Sequence, residues 1–328
     1  MKPRILVSRE VFDETLAMLA EHFDVESNQA DVRHTTDELA ALLADKHGAV
    51  ISTSDRIDAS VLARAPKLKV VSNVGVGYNN LDIAACTAAG VMATNTPGVL
   101  TDSVADYTFG LVIATCRRMT EGEHMLRSGE WKGSFLKQML GADVHGATLG
   151  IMGMGRIGQT VARRALGFDM KVIYNNRTRL DAATEAACNA SYRSKEDLLR
   201  EADIVVLLMP YTPDTHHMIG AAELALMKPT AVLVNVARGG IVDDAALIDA
   251  LKSHRIRAAG LDVYENEPNF NPGLLDLTNV VLSPHIASAS EPTRRAMANT
   301  AARNCIAALT TGNPPNLLNP ESKAHARG

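Results

Sequence analysis

Three side chains in the C-terminal half of the sequence stand just past apolar runs and suit one chemistry. Arg238 follows the run 232–236, Glu267 the run 259–263 and His285 the run 280–283. A guanidinium offers fixed, planar donors that can hold a carboxylate and a neighbouring carbonyl, the two groups of a 2-keto acid. Hydride attack on that carbonyl leaves an oxygen in need of a proton, and a histidine supported by a carboxylate is an acid suited to neutral pH. Taken singly, an arginine after a strand is more often a surface ion pair, and a lone histidine or turn glutamate is structural. Their shared place, each at the end of a strand-like run, makes them a set.

A second constellation supplies the partner for such chemistry. Gly153, Gly155 and Gly158, with Arg156 and Ile157 between them, follow the apolar run 148–152 and open a helical stretch. A further apolar strand at 170–174 completes a βαβ unit. The first glycine permits the tight turn, the second lets backbone approach a pyrophosphate, and the third lets helix and strand pack closely. Sites of this kind that use NAD carry an acidic residue about 20 positions later for the ribose 2′-hydroxyl. Here the strand runs into Asn175, Asn176, Arg177, Thr178 and Arg179, with no carboxylate before Asp181. Asn176, Arg177 and Thr178, with Arg179 as a further donor, fit a 2′-phosphate, so NADPH is expected and NADH is less favoured.

These residues need an α/β frame. Strand-like runs at 4–8, 49–53, 70–74 and 91–95 alternate with helical stretches at 12–22 and 36–44, the latter opened by a Thr35 and Glu38 capping box. The glycine motif comes about 145 residues into the chain, so a cofactor domain is inserted into another α/β domain. Strands at 204–209, 232–236, 259–263 and 280–282 extend the cofactor sheet to six. One long helix, 103–127, is expected to cross between domains, and a helix at 292–309 to return to the first. The expected fold is α/β with two doubly wound parallel sheets: a Rossmann cofactor domain, 99–289, inserted into a flavodoxin-like substrate domain, 1–98 and 290–328.

The chain resembles the D-isomer-specific 2-hydroxyacid dehydrogenases in the stretches 73–82, 153–158, 235–243, 260–268 and 283–288. Within that family, 96–106 and 143–150 look most like glyoxylate/hydroxypyruvate reductases and 2-ketogluconate reductases. The resemblance implies reduction of glyoxylate, hydroxypyruvate or 2-ketogluconate to the D-2-hydroxy acid, with Arg238 on the substrate, Glu267 paired to His285, and His285 as proton donor. It gives the substrate carboxylate to backbone amides at Gly75, Val76 and Gly77, and places Pro210, Val236, Asp262 and Ser288 along the cofactor. It also implies a homodimer with 103–140 in the interface. A nucleotide-sensing, corepressor-like binding protein of the same fold is the alternative.

Composition narrows the partners. The 328 residues carry a net charge of −4 and 46% hydrophobic residues, and no basic block invites nucleic acid or an anionic membrane. The four cysteines are far apart, without a CxxC pair, so no metal site and no disulfide framework are expected. The N-terminal apolar run is too short for a signal peptide, and a cytoplasmic location follows. Two doublets suggest less than they offer. His216 and His217 are adjacent and are expected to point apart, which argues against a metal pair. Asp243 and Asp244 sit at a helix start, where the dipole explains them.

Overall fold

The computed structural model describes residues 2–325, and these form two compact units: residues up to Leu100 with those from Ala289 onward, and Thr101–Ser288. In the first unit, β1 (Arg4–Val7), β2 (Asp24–Ser27), β3 (Gly48–Ser52), β4 (Val70–Val74) and β5 (Met92–Thr94) make a parallel sheet in the order β2-β1-β3-β4-β5. Ile5 stands opposite Gly48, and Gly48 opposite Val70. Strand β2 was not expected from the sequence. It is a polar edge strand with little buried surface, so neither alternation nor an apolar run marks it.

Both faces of this sheet are covered. Ile5, Val7, Val50 and Val70 pack against Ala301, Ala302, Cys305 and Ala308 of the long helix Glu291–Thr311, whose small side chains allow close approach. The other face buries Leu6, Ala49 and Ile51 against Leu39, Leu43 and Val61. Truncating Leu43 to Ala would cost about 2–5 kcal/mol by lost transfer energy and the cavity left behind. The helix Thr36–Leu43 starts at the expected capping box, with Thr35 accepting from the Glu38 amide and Glu38 from the Thr35 amide.

The second unit holds β6 (Thr148–Met152), β7 (Lys171–Asn175), β8 (Ala190–Tyr192), β9 (Ile204–Leu207), β10 (Val232–Asn235), β11 (Ala258–Leu261) and β12 (Val280–Leu282) in the parallel order β12-β11-β10-β9-β6-β7-β8. The sheet thus has seven strands, one more than the sequence indicated. The added strand, β8, is a three-residue edge too short to show a period. Strands β9 and β10 are buried throughout, as expected where helices cover both faces of a parallel sheet. Strand β6 pairs with β9 on one side and β7 on the other. The strand order therefore reverses beside the glycine turn, the place where such sheets bind ligands.

The long helix expected over 103–127 is two helices, Thr101–Cys116 and Met119–Arg127. The break is tertiary in origin: the Cys116 carbonyl accepts from the Ala142 amide at 2.8 Å, and Arg118 takes a left-handed φ of 54°. Among the described residues, no helix is long and apolar enough to cross a membrane.

Candidate active site

The glycine turn has the shape of a cradle. Gly153 has φ 98°, and a Cβ there would lie 2.5 Å from the Met209 amide nitrogen; one at Gly158 would lie 2.5 Å from the Gly153 carbonyl oxygen. Gly155 faces open space, with no atom within 4 Å of a Cβ position. It also caps the helix Arg156–Leu166 without a side-chain acceptor, so the first-turn amides and the dipole end remain available to an anion. Arg156 is exposed beside them and Ile157 is half-buried.

Past β7, the polar residues divide. Arg177 and Thr178 are exposed, and Arg177 makes no ion pair among the described residues. Arg179 is not an available donor: it forks onto Glu185 at 2.8 and 2.9 Å, and that pair with the Tyr174 hydroxyl holds the Glu185 carboxyl down at about 2. The Asn176 Oδ1 accepts from the Met154 amide at 2.6 Å, bracing the glycine turn. Asn175 instead donates to the Arg193 carbonyl, so it is Asn176 that borders the cradle.

Beyond β10, β11 and β12 the three candidate catalytic side chains gather. The Glu267 Oε2 lies 2.8 Å from His285 Nδ1, and Oε1 accepts from the Tyr264 amide at 2.7 Å. Burial pulls the Glu267 carboxyl up, but the His285 hydrogen bond and charge, the Tyr264 amide and Arg238 outweigh it and leave the group below its ordinary value. Arg238 is held beside Glu267, its own value lowered by burial and raised by that carboxylate. Its Nη1 donates to the Ala237 carbonyl at 2.6 Å. With Nδ1 engaged, His285 keeps Nε2 without a partner among the described residues, and its φ of 54° is a strained backbone setting.

Residues beyond the catalytic trio set this geometry, Asn235 and Tyr264 without a role assigned from the sequence and Asp262 expected along the cofactor. Asn235 donates to the Arg238 carbonyl and accepts from the Ala237 amide, shaping the turn that presents Arg238. The Tyr264 hydroxyl donates to the Leu261 and Ser283 carbonyls and accepts from the Ser283 amide, and burial pushes this phenol up to about 12. Asp262, fully buried, accepts from Ser283 Oγ and from the amides of Ile286 and Ala287. Its carboxylate thus ties β11 to the segment carrying His285. Val236 is buried, Pro210 exposed and Ser288 half-buried at their strand ends.

Gly75, Val76 and Gly77 belong to the first unit, after β4. The Gly77 and Val76 carbonyls accept from Asn73 and Asn95 side chains at 2.9 and 2.8 Å, and a Cβ on Gly75 would lie 2.5 Å from Thr53 Cγ2. The amides of Val76 and Gly77 take no partner among the described residues. One doublet departs from expectation. His216 and His217 do not point apart; their rings stack with centroids 3.9 Å apart, because His217 takes a left-handed φ of 48°.

A Rossmann cradle with an arginine, glutamate and histidine gathered past its sheet defines a nicotinamide-dinucleotide dehydrogenase. Comparison with known proteins agrees. Residues 109–287 match the model of the D-isomer specific 2-hydroxyacid dehydrogenase NAD-binding domain. The chain is 47% identical to the glyoxylate reductase of Thermococcus kodakarensis over 325 residues, 98% of this chain and 97% of that one. Among solved structures it is similar to an NADPH-dependent glyoxylate/hydroxypyruvate reductase from Sinorhizobium meliloti in complex with NADP and malonate, with TM-score 0.87, 35% identity and 98% of each chain covered. A glyoxylate reductase from Paecilomyes thermophila gives TM-score 0.88 at 32% identity, covering 98% of this chain and 99% of that one. The chain belongs to the D-isomer-specific 2-hydroxyacid dehydrogenases, enzymes that use a nicotinamide dinucleotide to interconvert 2-keto and 2-hydroxy acids.

Proposed function

We propose that the protein reduces glyoxylate and related small 2-keto acids, hydroxypyruvate and 2-ketogluconate among them, to D-2-hydroxy acids with NADPH. The observation that carries this reading is the 2.8 Å contact between Glu267 and His285 with Arg238 beside it. When bound, the nicotinamide supplies the hydride. Arg238 holds the substrate's carboxylate and carbonyl through its planar donors. Glu267 fixes the His285 ring through Nδ1, which leaves Nε2 to deliver a proton to the carbonyl oxygen as charge develops there. The first-turn amides of Arg156–Leu166 take the pyrophosphate, while Arg177, with Thr178 and the Asn176 amide, takes the 2′-phosphate. The names of the relatives in Thermococcus and Sinorhizobium support the substrate class and the phosphorylated cofactor.

The same reading includes a homodimer. Met119, Leu126, Trp131, Phe135, Leu136 and Leu140 are all exposed, and so dense an apolar surface is characteristic of an interaction face. The deciding experiment is a panel of 2-keto acids assayed with each cofactor, run alongside His285→Ala. The variant should lose roughly 100-fold or more in kcat, the scale of general acid catalysis, while NADPH binding by fluorescence is retained. Retained turnover in His285→Ala removes the proton-donor assignment; no oxidation of NADPH with any 2-keto acid removes the function.

A further inference from the structure

The loop after β9 and the turn after β11 also build a cluster that has no part in the reduction. One ring nitrogen from each of His216 and His217 and one carboxylate oxygen of Glu265 lie within 4.8 Å of one another. The backbone holds the two histidines on one side. The His217 amide donates to the Gly240 carbonyl at 2.7 Å and the Ile219 amide to the Ile241 carbonyl at 3.0 Å, which sustains the left-handed turn at His217.

One edge of the cluster is already near coordination length. His217 Nε2 is 3.2 Å from Glu265 Oε2. Zinc binds imidazole nitrogen at about 2.0–2.1 Å and carboxylate oxygen at about 2.0–2.2 Å in tetrahedral sites, so neighbouring ligand atoms stand roughly 3.3–3.5 Å apart. That pair therefore needs only a small shift to form one edge. The ring of His216 must tilt out of its stack on His217 before the in-plane nitrogens of both converge on one ion, and it then provides the third donor. Its Nδ1 lies 3.1 Å from the Tyr211 hydroxyl, and a ring whose Nδ1–H is engaged presents Nε2, the arrangement that orients ligating histidines. Behind Glu265, its amide hydrogen-bonds the carboxyl of Asp244. Asp244 is only 7% exposed and its Oδ2 has no hydrogen-bond partner.

We propose that His216, His217 and Glu265 form a binding site for one divalent transition-metal ion of the zinc class, with the fourth position open to solvent. Two imidazoles and one carboxylate favour Zn²⁺, Co²⁺, Ni²⁺ or Cu²⁺ over the all-oxygen preference of Mg²⁺ and Ca²⁺. Glu265 lies two residues before Glu267, so a bound ion tethers the turn that presents the partner of His285.

The test uses tag-free, chelator-stripped full-length protein. Visible absorption on Co²⁺ titration and calorimetry with Zn²⁺ should each report one ion per chain. His216→Ala removes an exposed ligand and should weaken Zn²⁺ at least about 10-fold, with Tyr211→Phe weakening it by about 10-fold. Glu265→Gln should abolish the Co²⁺ spectrum. Zn²⁺ should raise the melting temperature of the wild type more than that of His216→Ala at the same concentration. Absence of saturable one-site binding, or equal affinity in His216→Ala and wild type, overturns the site whatever the folding of the Glu265 variant.

Discussion

Cofactor choice should rest on Arg177 alone among the nearby arginines, because Arg179 is already forked onto Glu185. A charge-assisted hydrogen bond contributes about 1.5–3 kcal/mol, and the exposed setting of Arg177 places it at the lower end. Arg177→Ala should therefore weaken NADPH by roughly 10-fold, each 1.4 kcal/mol being tenfold, and leave NADH nearly unchanged. Arg179→Ala, by contrast, should disturb neither by more than about 2-fold, the scale of a surface pair. The acidic swap belongs at Asn176, whose Oδ1 meets the Met154 amide, and not at Asn175, whose amide donates to Arg193. A carboxylate about 5 Å from a phosphate charge of about −1.5 costs roughly 1 kcal/mol in water-like surroundings. Asn176→Asp should thus add up to about tenfold against NADPH, and the double variant about 100-fold at most, since adjacent sites need not add. The assay is kcat/KM for both cofactors at saturating glyoxylate and low ionic strength, where screening is least. A wild type that favours NADH, or an Arg177→Ala enzyme that loses both cofactors equally, would refute phosphate reading by this loop.

Three further outcomes are expected. Arg238→Lys keeps the charge but loses the planar fork, so KM for glyoxylate should rise and kcat fall, by about 10-fold or more in kcat/KM; near-wild-type kinetics would place substrate binding elsewhere. Burial, with Glu265 and Asp243 opposing ionisation, raises the Asp244 carboxyl to about 6 against the pull of the Glu265 amide. Because that folded value exceeds the unfolded value of about 3.9, stability is fullest below about pH 4 and is lost as pH rises towards about 6. In chelator-treated protein, Asp244→Asn should therefore gain about 1–2 kcal/mol at pH 8 and nothing near pH 4, a rise of about 2–4 °C in melting temperature per kcal/mol. A melting curve with the wild-type pH slope would contradict it. Phe135→Asp with Leu136→Asp should shift the protein to monomer in sedimentation velocity, and an unchanged sedimentation coefficient would place any dimer interface elsewhere.

Buried strands announce themselves and polar edges do not. Strands β9 and β10 are continuous apolar runs because both faces are covered, and Gly153 to Gly158 stand out because turn, cradle and helix packing each demand a missing side chain. The rule that ligands lie past strand ends leads directly to Arg238, Glu267 and His285, whose side chains the structure gathers in one cluster. What escaped was set by contacts distant in sequence. The Ala142 amide interrupts a helix that nothing local would break, and β2 and β8 carry too few apolar residues to register. The stack of His216 on His217 depends on a carbonyl 23 residues away, at Gly240. Asn175 and Asn176 have the same chemistry, and only the strand's pleat decides which of them borders the glycine turn.

The long helix Glu291–Thr311 gives the first unit a history as well as a core. The strands it covers, β1, β3 and β4, leave the ribosome about 220–290 residues ahead of it, an interval of roughly 10–60 s at about 5–20 residues per second. Throughout that interval Ile5, Val7, Val50 and Val70 lack the surface that shields them in the finished molecule. The contiguous second unit, Thr101–Ser288, has no such wait. Exposure during synthesis therefore falls on β1, β3 and β4, and the arrival of Glu291–Thr311 ends it.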